Sequence, residues 1–172
     1  MLLSADPAQA QAPLQAQSPT PAQVPDAIAT IVVLDTNIVL DLFLFQDPAT
    51  LALRQQLQSG QLQWFATLHM RSELERVLTY PHIAAKLAFY QKAPSDILAQ
   101  FDQYAQLMPA PASKAPYTCT DPDDQVFIDF AAFLASHHPK AAIALVSKDK
   151  AVLSMRKRLG KVAVHVSSTI AS

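Results

Sequence analysis

The run IVVLDTN at residues 31–37 sets the tightest limit on how this chain can fold. Four apolar residues, three of them β-branched, lead without polar alternation into Asp35, Thr36 and Asn37. Such a run is typical of a strand that is covered on both faces in a parallel sheet. Parallel sheets bind ligands beyond the carboxyl ends of their strands, which is where Asp35 would lie. Asp is also a favoured N-cap residue, so this run alone leaves a binding role and a helix-capping role equally open.

A second apolar run, AIALV at residues 142–146, leads in the same way into Ser147, Lys148 and Asp149. Further strand patterns occur at 62–66 and 162–166, with helical spacing of apolar residues between the strands. This alternation predicts an α/β fold with three layers (α/β/α) and a central, mostly parallel sheet of four to five strands. The helices are predicted at 38–45, 48–59, 67–80, 83–91, 95–107, 122–134 and 151–159.

The segment DPDD at residues 121–124 predicts the start of a helix, with Asp121 as the N-cap and Pro122 in the first turn. Aspartates in a first helical turn interact favourably with the helix dipole. Three of them so close together also repel one another, and a bound cation would relieve that repulsion. Both a structural and a metal-binding role therefore follow from this segment.

Composition separates the chain into two parts. Residues 1–27 are rich in Ala, Gln and Pro, which predicts a flexible tail without catalytic residues, followed by a folded domain over residues 28–172. The N-terminus lacks the basic residues and apolar segment of a secretory signal, and no apolar stretch approaches the roughly 20 residues that cross a bilayer. Cys119 is the single cysteine, which suits a reducing compartment. We therefore expect a cytoplasmic protein that does not enter a membrane.

Four acidic residues are predicted to meet at one edge of the sheet. Asp35 and Asp149 follow equivalent ends of two apolar strands, and the helix that carries Asp124 precedes the second of them. Glu73 lies near the start of a helix that follows a strand, which places it at the same edge. Carboxylates gathered in this way would repel one another, whereas Mg²⁺ or Mn²⁺ prefers such oxygen ligands. The pattern therefore predicts a site for one or two divalent ions.

Several residues also have an ordinary structural explanation. Glu73 could be a solvated helix residue beside Arg71 or Arg76. Arg156 and its two basic neighbours fit a solvated helix face as well as a contact with an RNA backbone. The apolar patch at residues 40–45 could form a dimer surface, but it fits a buried core better.

Four motifs occur along the chain in the same order as in PIN-domain nucleases and resemble the motifs of that family. The resemblance covers residues 31–168. It is closest to the bacterial toxin components of toxin–antitoxin pairs. The matching motifs are Asp35-Thr36-Asn37, Ser72-Glu73-Leu74-Glu75-Arg76-Val77-Leu78, Asp121-Pro122-Asp123-Asp124 and Ser147-Lys148-Asp149. The resemblance implies a metal-dependent endoribonuclease whose catalytic, metal-binding acids are Asp35, Glu73, Asp124 and Asp149.

The resemblance also implies roles for neighbouring residues. Asn37 and Ser147 would support the metal site through hydrogen bonds, and Asp121 and Asp123 would lie farther from the ions. Lys148 departs from the family, which often has glycine there, and its position beside Asp149 predicts a contact with a substrate phosphate. The implied cofactor is Mg²⁺ or Mn²⁺, and the implied partners are an RNA substrate, an antitoxin protein and a second copy of the chain.

Other functions fit the sequence less well. A haloacid-dehalogenase-type phosphatase needs a second Asp where this chain has Asn37. A dinucleotide-binding domain needs a glycine-rich turn after its first strand, and this chain has only two glycines, Gly60 and Gly160. The remaining alternative is a catalytically idle PIN-like module that binds RNA or a partner protein. The presence of all four acids favours the nuclease.

Overall fold

The computed structural model describes residues 30–170 and contains one five-stranded parallel sheet with the strand order β3-β2-β1-β4-β5. The predicted tail at residues 1–27 and the start of the predicted domain at residue 28 lie outside the described residues. The strands are β1 (Thr30–Leu34), β2 (Leu62–Thr67), β3 (Ala105–Met108), β4 (Ala142–Val146) and β5 (Val164–Ser167). The helices are α1 (Thr36–Leu40), α2 (Leu51–Gln58), α3 (Leu68–Leu78), α4 (Pro81–Phe89), α5 (Pro94–Tyr104), α6 (Gln125–His137), α7 (Lys150–Ser154) and α8 (Arg156–Gly160).

The three-layer α/β/α fold predicted from the sequence is confirmed. The chain runs from β1 outward to β3 on one side and from β4 outward to β5 on the other. With right-handed crossovers, this reversal places α1 to α5 on one face of the sheet and α6 to α8 on the opposite face. The central strands β1 and β4 are buried almost completely, as their uninterrupted apolar sequences predict.

The strands added after β1 extend the sheet to one side, and those from β4 onward extend it to the other side. This reversal of strand order lies between β1 and β4, which are parallel neighbours and pair Leu34 with Val146. The backbone N–H of Asp35 extends this pairing by donating to the carbonyl of Val146 at 3.0 Å. Doubly wound sheets open a crevice at such a reversal, beyond the carboxyl ends of the two strands. The fold therefore positions Asp35 and Ser147 next to each other at that crevice.

The apolar run after β1 is part of the core. It forms α1 and then a π-helical turn at Asp41–Phe45, in which Leu42, Phe43 and Leu44 are buried. A 3₁₀ turn at Pro48–Thr50 follows, and the Asp47 carboxylate caps it by accepting from the N–H of Ala49 at 2.9 Å.

One predicted helix is shorter than expected. The spacing predicts a helix over 95–107, but α5 ends at Tyr104 and Ala105–Met108 form the edge strand β3. This strand pairs with β2 from Trp64–Ala105 to Thr67–Met108. The prediction fails because pairing with an otherwise open edge of the sheet overrides a weak local helical pattern.

A second prediction fails at residues 121–124, which form a turn before α6 and not its first turn. Asp124 occupies the N-cap position, and no acidic residue lies in the first turn of α6. Asp121 Oδ1 accepts a hydrogen bond from the Asp123 N–H at 2.9 Å, so this aspartate stabilises a local turn. The helix predicted at 151–159 is likewise divided, into α7 and α8, at the buried residue Met155.

Within residues 30–170, none of the helices has the length and apolar character that crossing a bilayer requires.

Candidate functional site

Asp35 lies at the crevice and is only 5% exposed. It occupies the N-cap position of α1, where the backbone N–H groups of Asn37 and Thr36 act to lower its pKa, although its carboxylate makes no hydrogen bond of regular capping geometry. Instead, Oδ2 accepts from the Asn37 side-chain amide at 2.9 Å and from the hydroxyl of Ser147. Burial raises the pKa of Asp35, and the hydrogen bond from Ser147 acts in the opposite direction. Asp35 thus lies at the start of α1 and is held by side chains that follow β1 and β4.

The loop between β4 and α7 is held against α1 by hydrogen bonds. The fully buried Ser147 donates to Asp35 and accepts from the backbone N–H of Asp149 at 2.9 Å. Asn37 Oδ1 accepts from the backbone N–H of Lys148 at 3.3 Å. Asn37 and Ser147, two of the four residues that the resemblance places around the metal ligands, thus connect the ends of β1 and β4.

Asp149 is half-buried and caps α7, since its Oδ1 accepts from the N–H of Ala151 at 2.6 Å. This capping bond fixes the carboxylate at the carboxyl end of β4, where it raises the pKa of Asp124 through its negative charge. Asp149, the acid predicted to follow β4, therefore lies close enough to Asp124 for the two negative charges to interact.

Asp124 has the most perturbed carboxyl group of the site. Its Oδ2 is buried without a hydrogen-bond partner among the described residues. Burial raises the pKa of Asp124 to about 7, assisted by the negative charges of Asp35, Asp149, Asp121 and Glu73. Such mutual repulsion requires that carboxylates from four separate segments face one region.

Glu73 projects from α3 toward the same region and is half-buried. Burial and the negative charge of Asp35 raise its pKa, while Arg76 and His69 act to lower it. Arg71, which the sequence offers as an alternative partner, forms its short ion pair with Asp102 at 2.6 Å. Glu73 is therefore part of the acidic cluster, with Arg76 nearby.

The donor set fits a hard divalent cation. A buried carboxylate oxygen without a donor, surrounded by like charges, is stabilised when a cation supplies the missing partner. Within residues 30–170, no three His, Cys, Asp or Glu side chains already stand at metal-ligating spacing. Mg²⁺ and Mn²⁺ suit such an arrangement, because Mg²⁺ commonly binds through one or two carboxylates and keeps several of its waters.

The turn before α6 lies beside this cluster. Asp121 and Asp123 are exposed, and Asp123 lines a cleft of about 330 Å³ between this turn and α3. The cleft is lined by His69, Ser72, Glu73, Arg76, Pro122, Asp123 and Val126. The sequence offers Arg76 as a partner of Glu73 but does not identify it as a component of the site. The available signal was its position three residues after Glu73, which puts both side chains on one face of α3.

The two predicted substrate contacts are bound to protein groups. Lys148 Nζ contacts Asp41 Oδ2 at 2.6 Å and Asp47 Oδ2 at 3.0 Å. Arg156 Nε donates to the carbonyl of Val166 at 2.9 Å, on the edge strand β5. Neither side chain is directed toward an open anion site by these contacts.

The family model for the PIN domain matches residues 31–151, which include all four acids of the cluster. No curated protein and no solved structure matches the chain significantly.

Proposed function

The chain belongs to the PIN-domain family, whose members are generally nucleases, and on this premise we propose that it is a metal-dependent endoribonuclease. The proposal depends most on one observation, the buried and unpartnered Oδ2 of Asp124 within a group of acids. A carboxylate in that position destabilises the protein unless a cation binds it. A hydrolase that uses a divalent metal would bind the cation that this arrangement of carboxylates requires.

We assign the metal to Asp35, Glu73, Asp124 and Asp149, with Mg²⁺ or Mn²⁺ as the ion. Bound divalent ions in such sites stabilise the charge that develops on the attacking and leaving oxygens of a phosphodiester. The protein's own contribution is to hold the acids in place. Ser147 and Asn37 fix the orientation of Asp35, and the capping bond to Ala151 fixes Asp149.

The finer parts of the proposal rest on the motifs. The similarity of the four motifs to those of bacterial toxins supports a toxin whose activity an antitoxin protein blocks in the cytoplasm. RNA is the proposed substrate, and the exposed turn at residues 121–123 leaves the cleft beside the acids open to a polymer. A second copy of the chain would need a surface other than residues 42–44, which are buried in the core.

A cleavage assay tests the proposal directly. Purified full-length protein is incubated with mixed RNA in Mn²⁺, in Mg²⁺ and in EDTA. We expect metal-dependent cleavage within the chain and none in EDTA. Glu73→Gln should abolish this cleavage, whereas Glu75→Gln should retain it, because the exposed Glu75 lies on the same helix and forms an ion pair with Arg71 at 3.9 Å, away from the acids.

The assay also separates the two candidate functions. RNA binding without cleavage in either metal would establish the idle PIN-like module and overturn the nuclease. Cleavage that persists in EDTA, or in the Glu73→Gln protein, would overturn the assignment of the acids.

A further inference from the structure

We propose that Arg76 binds a phosphate of the RNA backbone at the entrance to the acidic cluster. The inference rests on the proposed function and adds to it a substrate-binding site. Arg76 lines the cleft between α3 and the turn before α6, together with Glu73 and Asp123. An RNA chain whose phosphodiester reaches the acids from this cleft passes the guanidinium of Arg76.

The guanidinium is oriented by an uncharged partner. Its Nη1 donates to the hydroxyl of Tyr80 at 2.6 Å, and its Cζ lies 5.6 Å from the centre of the Tyr80 ring. Among residues 30–170, Arg76 forms no ion pair with a carboxylate. Its positive charge is therefore held in a defined place and left available to an anion from solution.

Four other cations are held by carboxylates or backbone carbonyls, unlike Arg76. Arg71, on the same helix, is paired with Asp102 through two hydrogen bonds of 2.6 and 2.7 Å. Lys148 is held between two aspartates, and the side chains of Arg54 and Lys92 donate to backbone carbonyls. Arg76 instead lies beside the acidic cluster, close enough to lower the pKa of Glu73.

The chemistry of the substrate explains why a cation is needed there. RNA carries one negative charge for each phosphate, and the acids of the site repel it. A guanidinium can donate two parallel hydrogen bonds to phosphate oxygens, which gives both attraction and orientation. His69 lines the same cleft one helical turn before Glu73 and adds a second nitrogen donor.

The test measures RNA affinity without cleavage. A labelled single-stranded oligoribonucleotide is titrated with full-length Asp35→Asn protein in Mg²⁺, and binding is followed by fluorescence anisotropy. Adding Arg76→Gln should weaken binding about tenfold to hundredfold, as expected for the loss of a charge-assisted hydrogen bond. The slope of log affinity against log salt should become shallower by about one phosphate contact, roughly 0.7 for single strands.

Three further variants define the contact. Arg71→Gln on the same helix should leave affinity unchanged. Arg76→Lys should recover part of the affinity, because it restores charge without the planar donor pair. Tyr80→Phe keeps the ring but removes the hydroxyl that holds Arg76, so it should weaken binding less than Arg76→Gln.

The outcomes distinguish this inference from the function on which it rests. Arg76→Gln and Arg71→Gln are compared for RNA binding in the Asp35→Asn protein and for RNA cleavage in the parent protein. If the two substitutions give equal binding and equal cleavage, the inference is wrong and the nuclease stands. Arg76 then serves only to offset the charge of Glu73. If the parent protein neither binds nor cleaves RNA, the proposed function itself fails.

Discussion

Ser147 donates its hydroxyl hydrogen to Oδ2 of Asp35 across 112 residues of sequence, and the same hydroxyl accepts from the backbone N–H of Asp149. One fully buried side chain therefore connects two acids that follow neighbouring strands of the sheet. This bridge fixes the Asp35 carboxylate relative to the backbone of Asp149 before any ligand arrives. In known metal sites, the groups that hydrogen-bond to the metal-ligating side chains provide this kind of pre-orientation.

Ser147→Ala should destabilise the protein and weaken metal binding. The substitution removes a donor to the buried Asp35 and an acceptor for the N–H of Asp149, which together cost about 1–3 kcal/mol of unfolding free energy. Metal affinity should fall about 10- to 100-fold, because the acids lose their fixed orientation. Urea unfolding and Mn²⁺ titration measure the two effects.

Ser154→Ala is the matched control for this substitution. Ser154 is exposed on α7, and its hydroxyl donates only to the carbonyl of Ala151 within its own helix. We expect both stability and metal affinity to stay close to those of the parent. An equal effect of the two substitutions would show that the bridge between Asp35 and Asp149 has no special role.

The metal-free protein should lose stability as the pH rises from about 4 to about 7. The pKa of Asp124 is raised in the folded protein to about 7, whereas in the unfolded chain it lies near 3.8. In this interval the unfolded chain releases a proton that the folded protein retains, so ionisation favours unfolding. Asp35 and Glu73, whose pKa values are also raised, act in the same direction.

Asp124→Asn isolates this effect, because the amide cannot ionise. In EDTA, the melting temperature of the variant should equal that of the parent near pH 4 and exceed it near pH 7.5, with the difference growing in between. Thermal unfolding followed by circular dichroism gives both curves. A difference that does not change with pH would contradict the pKa assigned to Asp124.

The sequence alone predicts that the acids lie beyond the carboxyl ends of the strands. Uninterrupted apolar runs before Asp35 and Asp149 identify two central strands and the end at which each acid lies. An apolar run of this kind is stable only where both faces of the strand are buried. The supporting role of Ser147 follows from the resemblance of its motif, and the structure shows its hydroxyl bonded to Asp35. The edge strand β3 could not be predicted, because Gln106 and Leu107 are exposed and carry no strand periodicity.

The partners of the charged residues could not be predicted either. Lys148 follows Ser147 directly, and the sequence suggests a phosphate contact for it. The structure pairs it with Asp41 and Asp47, the latter 101 residues away, from the connection that follows α1. A lysine stem can reach many places, so its partner is set by tertiary packing and not by local pattern.

Lys148→Met should lower stability without changing RNA affinity. The substitution keeps most of the apolar stem but removes the charge between Asp41 and Asp47, of which Asp41 is only 14% exposed at its side chain. We expect a loss of up to about 1 kcal/mol in unfolding free energy, because Lys148 is 41% exposed and solvent screens its charge. The loss should be smaller at high salt, because salt screens the exposed part of the interaction.

Lys150→Met provides the comparison at a nearby position. Lys150 is exposed at the start of α7 and forms no ion pair with any residue between 30 and 170. This variant should unfold like the parent in urea. If Lys148→Met instead weakened RNA binding while leaving unfolding unchanged, Lys148 would be a substrate contact after all.

Binding of Mn²⁺ to the metal-free protein, measured by isothermal titration calorimetry at pH 7.5, tests the acidic cluster most directly. The parent protein should give a saturable heat, and Asp35→Asn, Glu73→Gln, Asp124→Asn and Asp149→Asn should each reduce or abolish it. Glu75→Gln should bind as the parent does. A parent protein that gives no heat with Mn²⁺, or four acid variants that bind Mn²⁺ as well as the parent, would contradict the account.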